Sequence, residues 1–207
     1  GNLGNDVLVG EAGDDRLFGQ EDDDDLFGDD GNDALRGDDG DDALDGGAGD
    51  DLLIGDADGQ IGGTGGNDVL IGGAGNDVLV GGGGQDTYRF DLGDGFDLIA
   101  EAAGEGNRLV FGAGISPNTV VVAVGPNDSL VIRTGYGDEA VQIESFGTNN
   151  LEGLHPIDSF QFAEGTILTY SQLAAGGLGV SVGFGNPQAQ GTAQGETIYG
   201  GADSDAV

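Results

Sequence analysis

The side chains best suited to chemistry in this chain are aspartates that recur about every nine residues. Each belongs to a nine-residue unit with glycine in the first place, aspartate in the sixth and leucine or tyrosine in the eighth. The fourth place is also glycine, except at Asp22. Carboxylates and turn carbonyls offer only oxygen ligands, which suit a hard cation with six to eight ligands, calcium rather than zinc. The sixth-place aspartates are Asp6, Asp15, Asp24, Asp33, Asp42, Asp51, Asp68, Asp77 and Asp86.

The same repeat predicts the elements that must position these carboxylates. Two glycines permit a tight turn over six residues, and the last three residues of the unit form a short strand. The middle residue of each strand is always large and apolar, so that face must be buried. Two units make a coil of about eighteen residues, and stacked coils form parallel sheets on both sides of a leucine interior.

In such a stack the sixth-place aspartates line two edges, one edge beginning Asp6, Asp24, Asp42 and the other Asp15, Asp33, Asp51. Stacked carboxylates repel one another unless a cation lies between them. A solvated acidic face or disorder is the alternative, which the fixed register of glycine, aspartate and leucine disfavours. The residues in the fifth place are interpreted as turn formers whose carbonyls can assist.

The pattern GGxGxDxUx, where U is a large apolar residue, resembles the RTX (repeats-in-toxin) calcium-binding nonapeptide. The resemblance covers residues 1–99 and implies an all-β fold, a right-handed parallel β-roll (a β-solenoid) with calcium between neighbouring turns. It implies that the sixth-place aspartates are ligands. FDLGDGFDLIAE resembles a closing repeat of such blocks and adds Asp97 as the last ligand.

Residues 55–62 depart from the pattern, because this segment has eight residues and no sixth-place aspartate. A degraded half-coil would keep the two edges in phase, whereas an outward loop would not. Asp56 and Asp58 are candidate substitute ligands, although a solvated loop is favoured. After the repeats, Tyr88, Phe90 and Leu92 are expected to plug the end of the leucine stack.

Residues 100–175 are predicted to be a β-rich segment that caps the open edge of the roll. Its strand candidates include a hairpin pairing Val122 with Ile132 and a turn at 163–165. This order of strands is similar to the segment that follows the repeats in many RTX proteins. Residues 176–207 are interpreted as a glycine-rich linker and the start of a further repeat block, so we expect neighbouring domains of a longer parent chain.

Composition limits the possible partners. Five basic and 39 acidic residues give a net charge of −34, which argues against nucleic acid and anionic membranes. The absence of cysteine excludes disulfides and thiolate metal sites. No apolar run approaches the ~18 residues of a membrane span.

Enzymatic chemistry has little support in the sequence. His155 is the only histidine and lacks the context of a nucleophile elbow, so it is interpreted as a loop residue before Pro156. No EF-hand loop or phosphate-binding glycine loop occurs. The fragment is therefore predicted not to be an enzyme.

The function that the resemblance implies is that of a calcium-binding structural module of a secreted RTX protein, located outside the cell or on a bacterial cell surface. Such a module stays unfolded in a calcium-poor cytosol, engages the type I secretion machinery during export and folds on binding calcium outside. The alternative is an adhesion or ligand-binding module of an RTX adhesin or exported enzyme.

Overall fold

The computed structural model describes residues 1–56, 65–101, 103, 105–147 and 153–175, which form two eight-stranded sheets facing each other across one core. The first sheet contains, in spatial order, β1 (Val7–Val9), β3 (Asp25–Asp30), β5 (Ala43–Ala48), β7 (Val69–Ala74), β9 (Thr87–Phe90), β11 (Arg108–Phe111), β15 (Ser159–Gln161) and β16 (Ile167–Leu168). The second contains β12 (Val121–Val124), β13 (Leu130–Arg133), β14 (Ala140–Ile143), β10 (Phe96–Ile99), β8 (Val78–Val80), β6 (Leu52–Ile54), β4 (Ala34–Asp39) and β2 (Arg16–Glu21).

Successive repeats alternate between the two sheets, and every pair of neighbouring strands among β1 to β11 is parallel. Leu8 lies opposite Leu26 in the first sheet, and Leu17 lies opposite Leu35 in the second, each pair one coil of eighteen residues apart. The predicted all-β parallel β-roll is therefore confirmed. The period produces it because one apolar residue per short strand must face the interior.

The leucines in the eighth place form the core. Leu26, Leu35 and those that follow are almost completely buried, whereas Leu8 at the open end is only partly buried. Tyr88 and Phe90 are buried as predicted, but Leu109 and Phe160 follow Tyr88 in the same sheet, so Tyr88 does not end the stack. Leu92 is 41% exposed, and its predicted core role is wrong.

The strands on either side of the irregular segment pair as they do in the other coils. β5 pairs directly with β7, with Leu44 opposite Leu70, and β6 pairs directly with β8. The Gly55 amide donates to the carbonyl of Val80, a ninth-place residue. First-place Gly10 makes the equivalent bond to Phe27, also a ninth-place residue. Gly55 therefore holds the first place of the repeat that ends at residue 71, which the sequence had assigned to Gly63.

The eight extra residues thus enter one turn between its second place, Asp56, and its third, Gly65. Strand order is unchanged and the edges stay in phase, which was expected from the sequence only of a half-coil. Residues 57–64 themselves lie outside the described residues. Asp56 is also not a solvated loop residue. It is buried, and its carboxylate accepts the amides of Gly66 and Gly83 at 3.3 and 2.6 Å. Asp58 lies outside the described residues.

The predicted strands after residue 99 extend both sheets without a break. β14 adds to β10 and β15 adds to β11, both in parallel, before antiparallel strands end each sheet. The hairpin pairs Val122 with Ile132 as predicted. These strands close the end of the roll, since the outermost strands there are antiparallel partners rather than further coils.

One short helix, α1 (Tyr170–Ala174), follows β16 and was not predicted from the sequence. Thr169 caps it by accepting the Gln172 amide, while the Gln172 side chain accepts the Thr169 amide. The T-x-x-Q spacing of this capping box was the signal that strand propensity obscured. No described helix is long and apolar enough to cross a membrane.

The turns require glycine for two separable reasons. Gly4 and Gly49 both hold the fourth place with positive φ, +90° and +137°. A Cβ on Gly4 would meet nothing within 4 Å, whereas one on Gly49 would collide with the Gly31 carbonyl of the neighbouring coil. Strain acts at both positions, but close coil contact acts only at Gly49.

We therefore expect Gly49→Ala to destabilise the calcium-loaded protein much more than Gly4→Ala. Left-handed backbone strain costs about 1–2 kcal/mol in each variant. Overpacking adds about 1–3 kcal/mol at Gly49 alone. Thermal unfolding at saturating calcium measures the difference, and equal losses in the two variants would contradict the close stacking of the coils.

Candidate metal centre

The sixth-place aspartates form two columns, one along each edge of the roll. In every coil after the first, the Oδ1 carboxylate oxygen of the aspartate accepts the backbone amide of the sixth-place residue one coil earlier, at 2.7–3.2 Å. The first edge consists of Asp6, Asp24, Asp42, Asp68 and Asp86. The second edge consists of Asp15, Asp33, Asp51, Asp77 and Asp97.

The other carboxylate oxygen, Oδ2, is buried and finds no hydrogen-bond donor among the described residues in eight of these aspartates. They are Asp24, Asp33, Asp42, Asp51, Asp68, Asp77, Asp86 and Asp97. A buried charged oxygen without a partner costs several kcal/mol. A cation at each edge would offset that cost at all eight equivalent positions.

The two aspartates nearest the open end differ from these eight. Asp6 and Asp15 are only partly buried, and Asp6 Oδ2 accepts the amide of Asn2 at 3.0 Å. Their carboxylates therefore retain contact with water or with their own turn.

A small cradle lies beside four of the unpartnered oxygens, those of Asp24, Asp33, Asp51 and Asp68. A Cβ on first-place Gly19 would meet Asp24 Oδ2 and the Gly37 carbonyl oxygen, so a carboxylate and a carbonyl oxygen face one small space. The same arrangement surrounds Gly28, Gly46 and Gly55. First-place glycine is thus needed because a side chain would fill the cradle.

The donor set of these cradles fits calcium. Among the described residues, no group of three or more histidine, cysteine, aspartate or glutamate side chains converges on one point. A cation here would therefore take its ligands from a few carboxylates and several turn carbonyls, as calcium does in oxygen-rich loops. Zinc, which favours nitrogen and sulfur ligands, is a poor fit.

Burial shifts the titration of the inner aspartates upward. Desolvation is the main cause, and neighbouring carboxylates add to it, raising the pKa of Asp68 and Asp97 to about 8 and that of Asp77 to about 7. The pKa values of Asp42, Asp51 and Asp86 rise to about 6 for the same main reason. The edge amides that bind Oδ1 oppose this shift without cancelling it.

A second ladder, which the sequence did not reveal, runs along the fifth place. Here the side chain of one coil accepts the backbone amide of the next coil, as Asp14 does for Asn32 and Asn32 for Asp50. Its direction is opposite to that of the sixth-place ladder. These asparagines and aspartates therefore join adjacent coils, beyond the turn-forming role expected of them.

The first edge continues into the capping segment. Asn107 Oδ1 accepts the Asp86 amide at 2.8 Å, so asparagine holds the sixth place of the next coil. Asp158 follows Asn107 in the same position, since Arg108 and Leu109 lie opposite Ser159 and Phe160. The spacing of each polar residue two before a buried apolar one was the signal that could have identified both.

His155 lies in an aromatic cluster rather than in a catalytic arrangement. Its Nδ1 is 2.9 Å from the Phe146 carbonyl, and its ring stacks on Phe146 at 4.5 Å and packs edge-on against Tyr170. The residue lies in the loop before Pro156, as predicted, and it is buried there.

Comparison with known proteins identifies the repeat. The family described as the RTX calcium-binding nonapeptide repeat (4 copies) matches residues 1–35, 27–59 and 62–97. Residues 1–97 therefore carry RTX calcium-binding nonapeptide repeats, and calcium is the ion that such repeats bind. The repeat is a structural calcium-binding module and not itself catalytic.

A search of curated proteins found no match. Among solved structures, the chain is similar to the extracellular lipase LipA from Serratia marcescens, with 20% sequence identity and a TM-score of 0.31. The similarity covers 68% of this chain and 38% of the lipase chain.

The raised pKa values predict that acid stabilises the calcium-free roll. These carboxyls titrate near pH 3.8 when unperturbed and near pH 6–8 in the fold, so the folded state binds more protons between those values. That contribution is fully present below about pH 4 and is lost as pH rises through about 6–8. Circular dichroism of protein stripped of calcium should show more β-structure at pH 5 than at pH 8.

The same linkage requires calcium to displace these protons, so apparent calcium affinity should rise with pH over that range. A calcium-free β-signal that is constant from pH 5 to 8, or that increases with pH, would contradict the burial of these carboxyls.

Proposed function

We propose that this chain is a calcium-binding structural module of a secreted RTX protein, and that it folds when it binds calcium outside the cell. The observation that carries the proposal is the repeated buried Oδ2 without a donor. The proposed calcium ligands are the ten sixth-place aspartates, of which Asp6 and Asp15 are the most exposed.

Electrostatics supports a folding switch. A chain of net charge −34 gains little by bringing its carboxylates together, and each coil adds two more to the edges. Calcium between neighbouring turns reverses that repulsion, and its binding free energy becomes folding free energy because the unfolded chain has no such cradles. Since each coil is useful only against a neighbour, folding should be cooperative in calcium.

The proposed export route depends on the same opposition between carboxylate repulsion and calcium binding. In a cytosol with little calcium the chain would remain unfolded, a form compatible with the type I secretion machinery, and the protein would act in the extracellular space or at the bacterial cell surface. Residues 1–99 would form the calcium-binding roll and residues 100–175 its cap. Residues 176–207, which lie outside the described residues, would link to further repeats.

The direct test is circular dichroism at neutral pH with calcium and with a chelator. We expect β-structure only with calcium, and magnesium at the same concentration serves as the control for charge screening. Full β-structure in chelator at neutral pH would refute the switch.

Substitution should reveal unequal contributions along the columns. Asp77 is 1% exposed and lies deep in the second edge, whereas Asp6 lies at the open end with an alternative partner for Oδ2. Asp77→Ala removes a charged ligand and the acceptor of the Asp51 amide, so the calcium midpoint of folding should rise about tenfold or more. Asp6→Ala should shift it much less.

Asp77→Asn separates the two losses, since the amide oxygen still accepts from Asp51. A shift close to that of Asp77→Ala would assign the effect to the metal site. An unchanged midpoint in both Asp77 variants would contradict the ligand assignment.

An interaction module is the second candidate, favoured by exposed aromatic side chains on the outer faces of the roll. Phe18 is 44% and Phe27 37% exposed, and Arg36 lies over the Phe18 ring at 5.1 Å. Binding of the folded chain to a polysaccharide panel, lost in Phe18→Ala and Phe27→Ala while folding is retained, would support this role.

A further inference from the structure

The last cradle of the first edge is built from different residues than the others. A Cβ on Gly81 would meet Asp86 Oδ2 and the Tyr88 hydroxyl oxygen, the latter at 2.5 Å. At Gly19, Gly28, Gly46 and Gly55 the second oxygen is a glycine carbonyl from the next coil. Tyr88 Oη therefore stands where a carbonyl oxygen stands elsewhere.

Glu101 accepts the amide that a first-place glycine carbonyl accepts in earlier coils. In earlier coils a second-place amide donates to the first-place carbonyl of the next coil, as Asp56 does to Gly81 at 3.0 Å. In the last coil the Gly82 amide donates instead to Glu101 Oε1 at 2.9 Å. Glu101 is 6% exposed, and the Tyr88 hydroxyl donates to its carboxylate.

Asn107 leaves the sixth place of that coil without a carboxylate, and Glu101 supplies one instead. Asn107 holds the sixth place of that coil with an amide instead of a carboxylate, and its Nδ2 donates to Glu101 Oε2 at 3.0 Å. Within the inner repeats, each pair of neighbouring turns contributes two sixth-place carboxylates to its edge. Here one carboxylate has moved from the sixth place to Glu101, so the number is the same.

The remaining feature points to a cation. The Gly81 amide donates to Tyr88 Oη, and the other donors of the cluster also have acceptors: Glu101 for Gly82 and Asn107, and Asn107 for the Asp86 amide. Asp86 Oδ2 is nevertheless buried without a donor among the described residues. A cluster closed only by hydrogen bonds would leave no such oxygen. The residue is 1% exposed, so water does not satisfy it from bulk solvent.

We propose that Asp86, Glu101 and Tyr88 form a terminal calcium site with a ligand set outside the nonapeptide pattern. Asp86 and Glu101 supply the two carboxylates, and Tyr88 supplies a neutral oxygen. Asn107 orients Glu101 from the opposite side. The inference rests on the proposed calcium-binding function and extends it to a coil that lacks the sixth-place aspartate.

Tyrosine provides a local probe for this site. The chain has four tyrosines and no tryptophan, and among the described tyrosines Tyr136 is half exposed and Tyr170 belongs to the His155 cluster. Terbium bound in place of calcium should thus be sensitised mainly by Tyr88. Tyr88→Phe should abolish most of the emission and weaken the binding of one ion about fivefold, and Tyr136→Phe should leave both unchanged.

The decisive experiment compares the full-length chain with Glu101→Gln, counting bound calcium by equilibrium dialysis and recording terbium emission. We expect one ion fewer and a large loss of emission in Glu101→Gln, with Glu164→Gln, an exposed turn variant, unchanged. The double variant Glu101→Gln/Asn107→Asp returns a carboxylate to the sixth place and should regain the ion. A merely structural role for Glu101 predicts no such rescue.

A full complement of calcium in Glu101→Gln, or a double variant that stays one ion short, would overturn the proposal. Circular dichroism at saturating calcium checks that each variant folds. If Glu101→Gln does not fold, Tyr88→Phe decides, because it retains the buried ring, and unaltered calcium affinity there would overturn the proposal. Failure of the wild-type chain to bind calcium at all would instead refute the proposed function.

Discussion

The structure depends on one constraint: each turn buries a carboxylate that can satisfy only one of its oxygens with protein donors. Oδ1 accepts the amide of the preceding coil, which fixes the coils in register, and Oδ2 is left facing a cradle too small for a methyl group. First-place glycine, the alternation of repeats between two edges and the leucine interior all follow from that arrangement. Without a cation, burial opposes the charge of inner carboxylates such as Asp68 and Asp97, as their raised pKa values show.

Two ladders of opposite direction explain how coils are held at an even spacing. Sixth-place side chains reach back to the preceding coil, while fifth-place side chains reach forward to the next. The outer ladder contains both asparagine and aspartate because it needs only an acceptor, whereas the inner one is aspartate throughout from Asp6 to Asp97, which agrees with the proposed cation sites. Asn67 and Asn76 also donate to Asp41 and Asp50, which relieves the repulsion that a column of outer aspartates alone would create.

The period of the sequence was sufficient to predict the roll and its two edges, and the turn residues between Val122 and Ile132 were sufficient to predict the hairpin, because each depends on local sequence. It was insufficient at residues 55–64, where two glycines competed for the first place and only the partner coil distinguishes Gly55 from Gly63. Glu101 was missed for a similar reason, since its role exists only through its contacts with Gly82 and Asn107. The prediction for Leu92 was wrong for a different reason. This residue was assigned to the core because it is apolar, but its position in a turn exposes it.

The inserted residues also show why the roll tolerates irregular length in its turns but not in its strands. Lengthening the separation of Asp42 and Asp68 from eighteen to 26 residues adds only ~0.3 kcal/mol of loop-closure entropy. A single residue added to a strand would instead turn its leucine outward and its neighbours inward. The longer intervals from Asp77 to Asp97 and from Asp86 to Asn107 likewise leave Ile99 and Leu109 buried. Selection for the carboxylate and leucine positions therefore constrains each strand and its sixth-place residue, while the number of residues between the second and sixth places can vary.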